Sequence, residues 1–229
     1  MEIHGLQKMT LLDYPGRVAC TVFLGGCDLR CPFCHNSELW DGTAQPVMED
    51  GELLSFLKKR RGLLDGVAIT GGEPLLRDLR PLLNDIKALG YPVKLDTNGF
   101  HPDRLRSLLA DGLADYVAID IKSSPERYAE TAGLPSLDLA PLRESVALLL
   151  SGAAPDYEFR TTAVDELHDA DSFRAIGAWI AGAKRWYLQP FTDRESVIFS
   201  GFHAPSAARL EEYLEIVRPF VEHAEIRGA

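Results

Sequence analysis

The sequence predicts an α/β fold in which helices cover a parallel sheet. Apolar, β-branched segments alternate with helical segments at least five times along the chain. The strand segments are almost continuously apolar, which is typical of parallel strands buried on both faces. Six strand–helix units are fewer than the eight that close a full barrel, so an open partial barrel and a doubly wound sheet both fit.

Six segments predict buried strands, because each is short, apolar and followed by glycine or polar residues. In chain order they are 17–25, 66–70, 92–97, 115–122, 157–165 and 185–191. A further segment, 221–227, predicts a possible edge strand. Segments of this kind joined by helices form a parallel sheet.

Seven segments predict helices, because their apolar residues recur at helical spacing. They are 49–61, 75–89, 102–111, 125–131, 139–150, 169–181 and 205–219. The second has the clearest apolar stripe, formed by Leu79, Leu82, Leu83, Ile86 and Leu89. Gly90 and Pro92 then end that helix. We expect one domain over 1–229, with its core at about 17–191 and a C-terminal helix and edge strand at 205–227.

Composition excludes several classes of protein. With 24 basic and 34 acidic residues the chain carries a formal net charge of −10, which disfavours nucleic-acid binding. Its sequence contains neither an apolar run of roughly 18 residues nor a signal-peptide pattern at the N-terminus. We therefore expect a cytoplasmic protein that does not associate with membranes.

Cys27, Cys31 and Cys34 form a C-x3-C-x2-C motif in the run GGCDLRCPFCHN. Three thiolates leave one corner of a four-iron cluster open for a small molecule, which points to catalysis. The alternative is a zinc knuckle with His35 as the fourth ligand. Cys20 lies in a predicted strand, where a small buried apolar role is expected rather than ligation.

Polar residues collect at the carboxyl ends of the predicted strands, where α/β proteins bind ligands. They are Gly71, Gly72, Glu73, Asp96, Thr97, Asn98, Asp120, Lys122 and Arg160. The paired glycines would let backbone approach a ligand, and Glu73 would accept a hydrogen bond from an ammonium group. The alternatives are ordinary turns, a first-turn acid beside Pro74, and structural ion pairs among the charged side chains.

These residues, in this order, resemble the radical S-adenosylmethionine (SAM) superfamily. The cysteine motif has an aromatic residue, Phe33, before its last cysteine, and Gly-Gly-Glu follows the second strand. Within that superfamily the chain is similar to the activating enzymes of glycyl-radical enzymes. The runs that carry this similarity are GLQKMTLLDYPGR, CPFCHN, TGGEPLL, LDTNG and AIDIK. It most resembles the activating proteins of anaerobic ribonucleoside-triphosphate reductases.

The resemblance implies a single-domain, open (β/α)6 barrel similar to a partial TIM barrel. It implies that Cys27, Cys31 and Cys34 hold a [4Fe–4S] cluster, whose open iron binds SAM. Other site residues carried over by the resemblance are Phe33, Gly71, Gly72, Glu73, Asn98, Lys122 and Arg160 for SAM, and Asp96, Thr97 and Asp120 for a possible monovalent cation. One-electron cleavage of SAM would give a 5′-deoxyadenosyl radical, which would take a hydrogen atom from a partner's glycine.

The resemblance also implies partners. These are a glycyl-radical enzyme as the protein substrate and a flavodoxin- or ferredoxin-like electron donor. Thr192 stands where some activating enzymes have histidine after the Pro190-Phe191 pair, which weakens a match to pyruvate formate-lyase activating enzymes. The alternatives are a small-molecule radical SAM enzyme, such as a 7-carboxy-7-deazaguanine synthase, and a zinc-stabilised protein-binding module.

Overall fold

The computed structural model describes residues 1–228, in which strands and helices alternate along the chain. The strands are β1 (Glu2–Ile3), β2 (Gly5–Thr10), β3 (Ala19–Leu24), β4 (Met48–Glu49), β5 (Gly66–Gly71), β6 (Val93–Thr97), β7 (Tyr116–Asp120), β8 (Tyr157–Ala163), β9 (Arg185–Pro190) and β10 (His223–Ile226). The helices are α1 (Ser37–Asp41), α2 (Asp50–Lys59), α3 (Arg80–Ala88), α4 (Pro102–Ala110), α5 (Tyr128–Thr131), α6 (Ala140–Leu150), α7 (Ala170–Trp179) and α8 (Ala207–Val217).

Eight strands form one sheet in the order β10-β9-β8-β7-β6-β5-β3-β2. All neighbours are parallel except β2, which runs antiparallel to β3. A doubly wound sheet reverses its strand order at a switch point, whereas here six strands from β3 to β9 follow their chain order without reversal. The edge strands β2 and β10 do not pair with each other, so the predicted open (β/α)6 barrel is confirmed.

The two faces of the sheet have different chemistry. One face contributes apolar residues such as Val22, Ile69 and Leu95 to a continuous core that also includes the apolar stripes of the helices. The opposite face carries buried charged side chains, among them Lys94 and Glu158. Side chains alternate between the two faces of each strand, and the helices pack on the apolar face. The polar face therefore lies inside the curve of the sheet and extends to its carboxyl edge.

Four features differ from the sequence-based expectation, one of them the unpredicted two-residue strand β4. The N-terminal strands β1 and β2 were not predicted, because the run GLQKMT has neither strict alternation nor a continuous apolar stretch. The short helix α1, just after the cysteines, was also missed. The helix predicted over 75–89 is instead a 3₁₀ turn at Pro74–Leu76 followed by α3, because Pro81 fits only the first turn of a helix.

None of the helices within residues 1–228 is both long enough and apolar enough to span a bilayer.

Arg227, just beyond β10, pairs with the fully buried carboxylate of Glu158 at 3.1 Å. The same carboxylate accepts a hydrogen bond from the Tyr116 hydroxyl at 2.8 Å. We expect Arg227→Met to lower the free energy of unfolding by about 2–3 kcal/mol, because it leaves a buried charge without its cation. Urea unfolding measures the change. Arg218→Met removes an exposed ion pair with Glu215 and should cost less than about 0.5 kcal/mol, and equal losses in the two variants would contradict the prediction.

Candidate active site

The cysteine loop, residues 25–36, is fixed by backbone hydrogen bonds to three other parts of the chain. Gly26 N–H donates to the carbonyl of Leu39 at 2.6 Å, and Arg30 N–H donates to that of Ala132 at 2.9 Å. The carbonyl of Gly26 accepts Glu73 N–H at 2.7 Å. The loop is therefore held against α1, α5 and the end of β5 rather than extending freely into solvent.

Two of the three motif sulfurs already accept backbone hydrogen bonds. Leu29 N–H points to Cys27 Sγ and Asn36 N–H points to Cys34 Sγ, both at 3.4 Å. Burial raises the pKa of Cys27 to about 12 and that of Cys31 to about 11, and it also raises the pKa of Cys34. Coordination to iron deprotonates such thiols, and N–H donors stabilise the thiolates formed, so this loop fits an iron–sulfur cluster.

The zinc alternative lacks geometric support. A zinc knuckle here would need His35 as its fourth ligand, because the motif supplies only three cysteines. His35 lies elsewhere: its Nε2 is 2.6 Å from the carbonyl oxygen of Thr192, and its ring stacks on Phe191. His35 thus ties the cysteine loop to the segment after β9.

Cys20 and Phe33 are both buried in the apolar core. Cys20 is on β3, fully buried, and burial raises the pKa of its thiol to about 12, as expected for a packing residue. The Phe33 side chain packs inward between the second and third motif cysteines. The resemblance implies that the backbone around Phe33 contacts the adenine of SAM, and that contact stays a prediction.

Gly71 and Gly72 make a close approach to the chain itself. A Cβ on Gly72 would lie 1.9 Å from the carbonyl oxygen of Gly26, and one on Gly71, whose φ is 122°, would lie 2.3 Å from that of Leu24. Gly72 N–H donates to the Leu24 carbonyl at 2.8 Å. The glycines are therefore required for packing the end of β5 on the cysteine loop, whether or not a ligand also approaches them.

Glu73 is fully buried and accepts three hydrogen bonds. The donors are Leu75 N–H at 2.9 Å, the Thr97 hydroxyl at 2.8 Å and Asn98 N–H at 2.6 Å. Burial raises the pKa of Glu73 to about 7 against the opposing effect of these donors. Glu73 caps the 3₁₀ turn that begins at Pro74, so the alternative of a first-turn acid beside Pro74 is also correct. One lone pair of its carboxylate remains to accept a hydrogen bond from an ammonium group.

Asp28 and His101 belong to this network and were missed by the sequence analysis. The Asp28 carboxylate accepts a hydrogen bond from the Asn98 side chain at 2.6 Å and lies 3.0 Å from His101 Nε2. Burial raises the pKa of Asp28, but these two partners outweigh it and lower the value below its usual range. A continuous polar chain therefore runs from Glu73 through Asn98 to the residue that follows Cys27.

The charged residues of β6, β7 and β8 form a ladder of ion pairs. Arg160 contacts Asp120 at 2.8 Å and Asp96 at 3.1 Å. Lys94 pairs with Asp96, and Lys122 pairs with Asp120 at 3.1 Å. These are the structural ion pairs that the sequence left open as an alternative. Each carboxylate already has cationic partners, and the monovalent-cation site stays a prediction.

The predicted residues thus meet at one edge of the sheet. Five of them contact one another or the cysteine loop, namely Gly71, Gly72, Glu73, Thr97 and Asn98. Lys122 belongs to the same edge: burial raises the pKa of Cys31, and the positive charge of Lys122 partly lowers it. The segment after β9 crosses this edge, where the Ser37 hydroxyl donates to the carbonyl of Ser196. The arrangement can hold a metal cluster next to both anionic and cationic side chains.

One curated relative is similar to this chain over nearly its whole length, and others are similar over about half to three fifths of it. A protein of Methanocaldococcus jannaschii, provisionally named a glycyl-radical enzyme activating enzyme, is 27% identical over 98% of this chain and 95% of its own. The pyruvate formate-lyase-activating enzyme of Clostridium pasteurianum is 34% identical over 53% of this chain and 52% of its own. The 7-carboxy-7-deazaguanine synthase of Synechocystis is 31% identical over 60% of this chain and 58% of its own.

Solved structures share the fold at low sequence identity. SuiB of Streptococcus suis, solved with S-adenosylmethionine bound, has a TM-score of 0.71 and 13% identity over 91% of this chain and 52% of its own. QueE of Escherichia coli has a TM-score of 0.55 and 16% identity over 99% of this chain and 93% of its own. The model of the Radical SAM superfamily matches residues 21–172, from the first strand of the barrel to α7. This chain therefore belongs to the radical SAM superfamily and is an enzyme.

Proposed function

We propose that this enzyme activates a glycyl-radical enzyme by removing a hydrogen atom from a glycine of that protein. The observation that carries the proposal is the similarity over nearly the whole length of both chains to a relative named as an activating enzyme. The DYPG, DTNG and DIK runs support the same branch of the superfamily. The anaerobic ribonucleoside-triphosphate reductase is the partner that these runs favour.

Each part of the proposed site has one task. Cys27, Cys31 and Cys34 would hold a [4Fe–4S] cluster, and Glu73 would accept a hydrogen bond from the ammonium group of SAM. A cluster held there would supply the one-electron reduction that cleaves SAM, with an external donor as the source of the electron. Lys122 and Arg160 would meet the methionyl end of SAM.

The chain also positions SAM and keeps water out. The segment after β9 covers the carboxyl edge, since its Thr192 and Ser196 carbonyls accept hydrogen bonds from His35 and Ser37. Excluding water protects a reactive radical from side reactions. We propose a flavodoxin- or ferredoxin-like electron donor and a cytoplasmic location, where such donors and reduced thiols occur.

A second function rests on a specific observation. The 7-carboxy-7-deazaguanine synthase of Synechocystis is 31% identical over 60% of this chain. Anaerobic incubation of reduced enzyme and SAM with the candidate reductase distinguishes the two functions by EPR. A glycyl radical supports the activating enzyme. Formation of 7-carboxy-7-deazaguanine from the synthase substrate, with no radical on any reductase, would replace it.

We predict that the triple substitution of Cys27, Cys31 and Cys34 by alanine abolishes iron and sulfide binding and leaves SAM intact under reducing conditions. The matched control is Cys20→Ala, because Cys20 is buried on the outer face of β3 and does not belong to the loop. Iron and sulfide analysis after anaerobic reconstitution measures the effect. Equal iron in the triple variant and in Cys20→Ala would refute ligation by the motif.

A further inference from the structure

His4 makes a contact with the cysteine loop that the proposed function does not use. It lies between β1 and β2, the two N-terminal strands. The backbone N–H of Gly25, the first residue of the loop, donates a hydrogen bond to Nδ1 of His4 at 3.1 Å. A backbone N–H can only donate, so Nδ1 of His4 is the acceptor and carries no proton. The ring in this contact is therefore neutral, with its proton on Nε2.

The His4 ring packs on the backbone at Gly25, where a side chain would collide with it. A Cβ on Gly25 would lie 2.7 Å from Cε1 and 2.8 Å from Nε2 of the His4 ring. The φ angle of Gly25 is not positive, so no left-handed conformation requires a glycine there. The missing side chain instead lets the imidazole ring approach the start of the loop.

Arg77 holds the other peptide group of Gly25. Its Nη1 donates to the Gly25 carbonyl, and it follows the 3₁₀ turn that Glu73 caps. His4 itself is fixed through its backbone, because its N–H donates to the carbonyl of Phe23 at 2.9 Å. Two side chains, from positions 21 residues before and 52 residues after Gly25, therefore hold its N–H and its carbonyl.

These contacts act on the part of the loop with the most conformational freedom. Gly25 and Gly26 join β3 to Cys27, and glycine loses more freedom on ordering than any other residue. Cys31 and Cys34 share a turn of their own, in which Cys34 N–H donates to the Cys31 carbonyl at 3.1 Å. A cluster needs all three sulfurs around it, so the direction of the chain at Gly25 affects how Cys27 meets the other two.

We propose that His4 is a positioning residue for the cluster site. Its unprotonated Nδ1 fixes the Gly25 N–H, and together with Arg77 it orients the segment that leads to Cys27. This inference rests on the proposed ligation by the three cysteines, and it gives the N-terminal strands a role, since they carry His4 to the loop. Without the acceptor, the Gly25 N–H loses its partner and the loop is held less firmly in the geometry that binds iron.

Two substitutions separate the acceptor nitrogen from the ring. His4→Phe keeps an aromatic ring without an acceptor, whereas His4→Asn places a carbonyl oxygen near the position of Nδ1. The matched control is His223→Phe, because His223 is exposed on the edge strand β10. Release of iron to a chelator is followed on the anaerobically reconstituted proteins, without SAM or partner.

We expect His4→Phe to release iron roughly three- to tenfold faster than the wild type, as the loss of one hydrogen bond would produce. His4→Asn should stay within about twofold of the wild type, and His223→Phe should match it. Wild-type release from His4→Phe would overturn the proposal. Equally fast release from His4→Asn and His4→Phe would also overturn it, because an acceptor at that position would then not restore the loop.

An NMR measurement on the wild-type, full-length protein before reconstitution decides the matter if His4→Phe folds poorly. With ¹⁵N in the backbone and the imidazole, a scalar coupling between the Gly25 amide nitrogen and His4 Nδ1 reports the hydrogen bond directly. We expect that coupling, together with a chemical shift of Nδ1 typical of an unprotonated nitrogen, and absence of the coupling overturns the proposal. Neither measurement needs a glycyl-radical enzyme, so failure of this proposal is distinct from failure of the proposed function.

Discussion

Replacing Gly72 by alanine is expected to displace the cysteine loop, weaken cluster binding and destabilise the fold. The added Cβ would lie 1.9 Å from the carbonyl oxygen of Gly26 and 3.4 Å from the Cβ of Cys27. Contacts below 3 Å force one chain segment to move, and here the obstacle is backbone rather than a flexible side chain. The hydrogen bonds from Gly72 and Glu73 to β3 and the loop would lengthen with that movement.

We expect Gly72→Ala to lower the free energy of unfolding by about 2–3 kcal/mol, as overpacking does, and cluster affinity by on the order of tenfold. Urea unfolding, together with iron and sulfide analysis after anaerobic reconstitution, measures both effects. Gly51→Ala is the matched control, because Gly51 is within α2 and nothing lies within 4 Å of an added Cβ there. That change should stabilise the protein by about 0.5–1 kcal/mol. Gly72→Ala protein with wild-type stability and iron content would show that the loop tolerates the shift.

The role of Gly72 shows what the sequence could predict of the site. Glycines after a buried strand indicate close approach of backbone, and the structure has that approach. The sequence could not identify the groups that these glycines approach, because the carbonyls of Leu24 and Gly26 belong to the end of β3 and to the cysteine loop, more than 40 residues earlier in the chain. The strand order brings them together, and periodicity carries no information on strand order.

The fold itself was largely predictable because each buried strand is locally apolar. The sequential strand order was not predictable from the sequence. That order is what distinguishes a partial barrel from a doubly wound sheet. Strand β2 was missed because half of its side chains are exposed and its polar residues do not alternate. Its antiparallel pairing with β3 is a tertiary property.

Asp28 shows where the prediction of the site stops. It directly follows Cys27 in sequence, yet no spacing rule marks it. Only its contacts with Asn98 and His101 identify it. Lys94 was detectable, since it alternates with apolar residues in β6 and shares a face with Asp96. The alternation of polar and apolar residues can therefore identify site residues on strands, whereas site residues in loops are identified only from the three-dimensional structure.

Replacing Arg160 by methionine is expected to cost about 3 kcal/mol of folding free energy, at the lower end of the range for breaking a buried pair. Arg160 is only 13% exposed and lies between Asp96 and Asp120. Burial raises the pKa of Asp120, but the charges of Arg160 and Lys122 outweigh it and hold the value well below its usual range. Lys94 and Lys122 remain in the variant and limit the loss.

The pH dependence of this loss follows from the lowered pKa of Asp120. A carboxyl group whose pKa is lowered by folding stabilises the native state above its unfolded pKa, and that contribution fades as pH falls through the folded value. The difference between wild type and Arg160→Met should therefore be complete above about pH 5 and narrow below about pH 4. Urea unfolding across this range measures it.

Two variants separate a buried charge effect from lost packing. Arg174→Met removes an arginine that is 56% exposed and pairs with Asp171 on the surface, so it should cost less than about 0.5 kcal/mol at every pH. Adding Asp120→Asn to Arg160→Met removes one of the two stranded carboxylates, and it should restore part of the stability. If the double variant is no more stable than Arg160→Met and the loss does not change with pH, the ladder stabilises the barrel by packing alone.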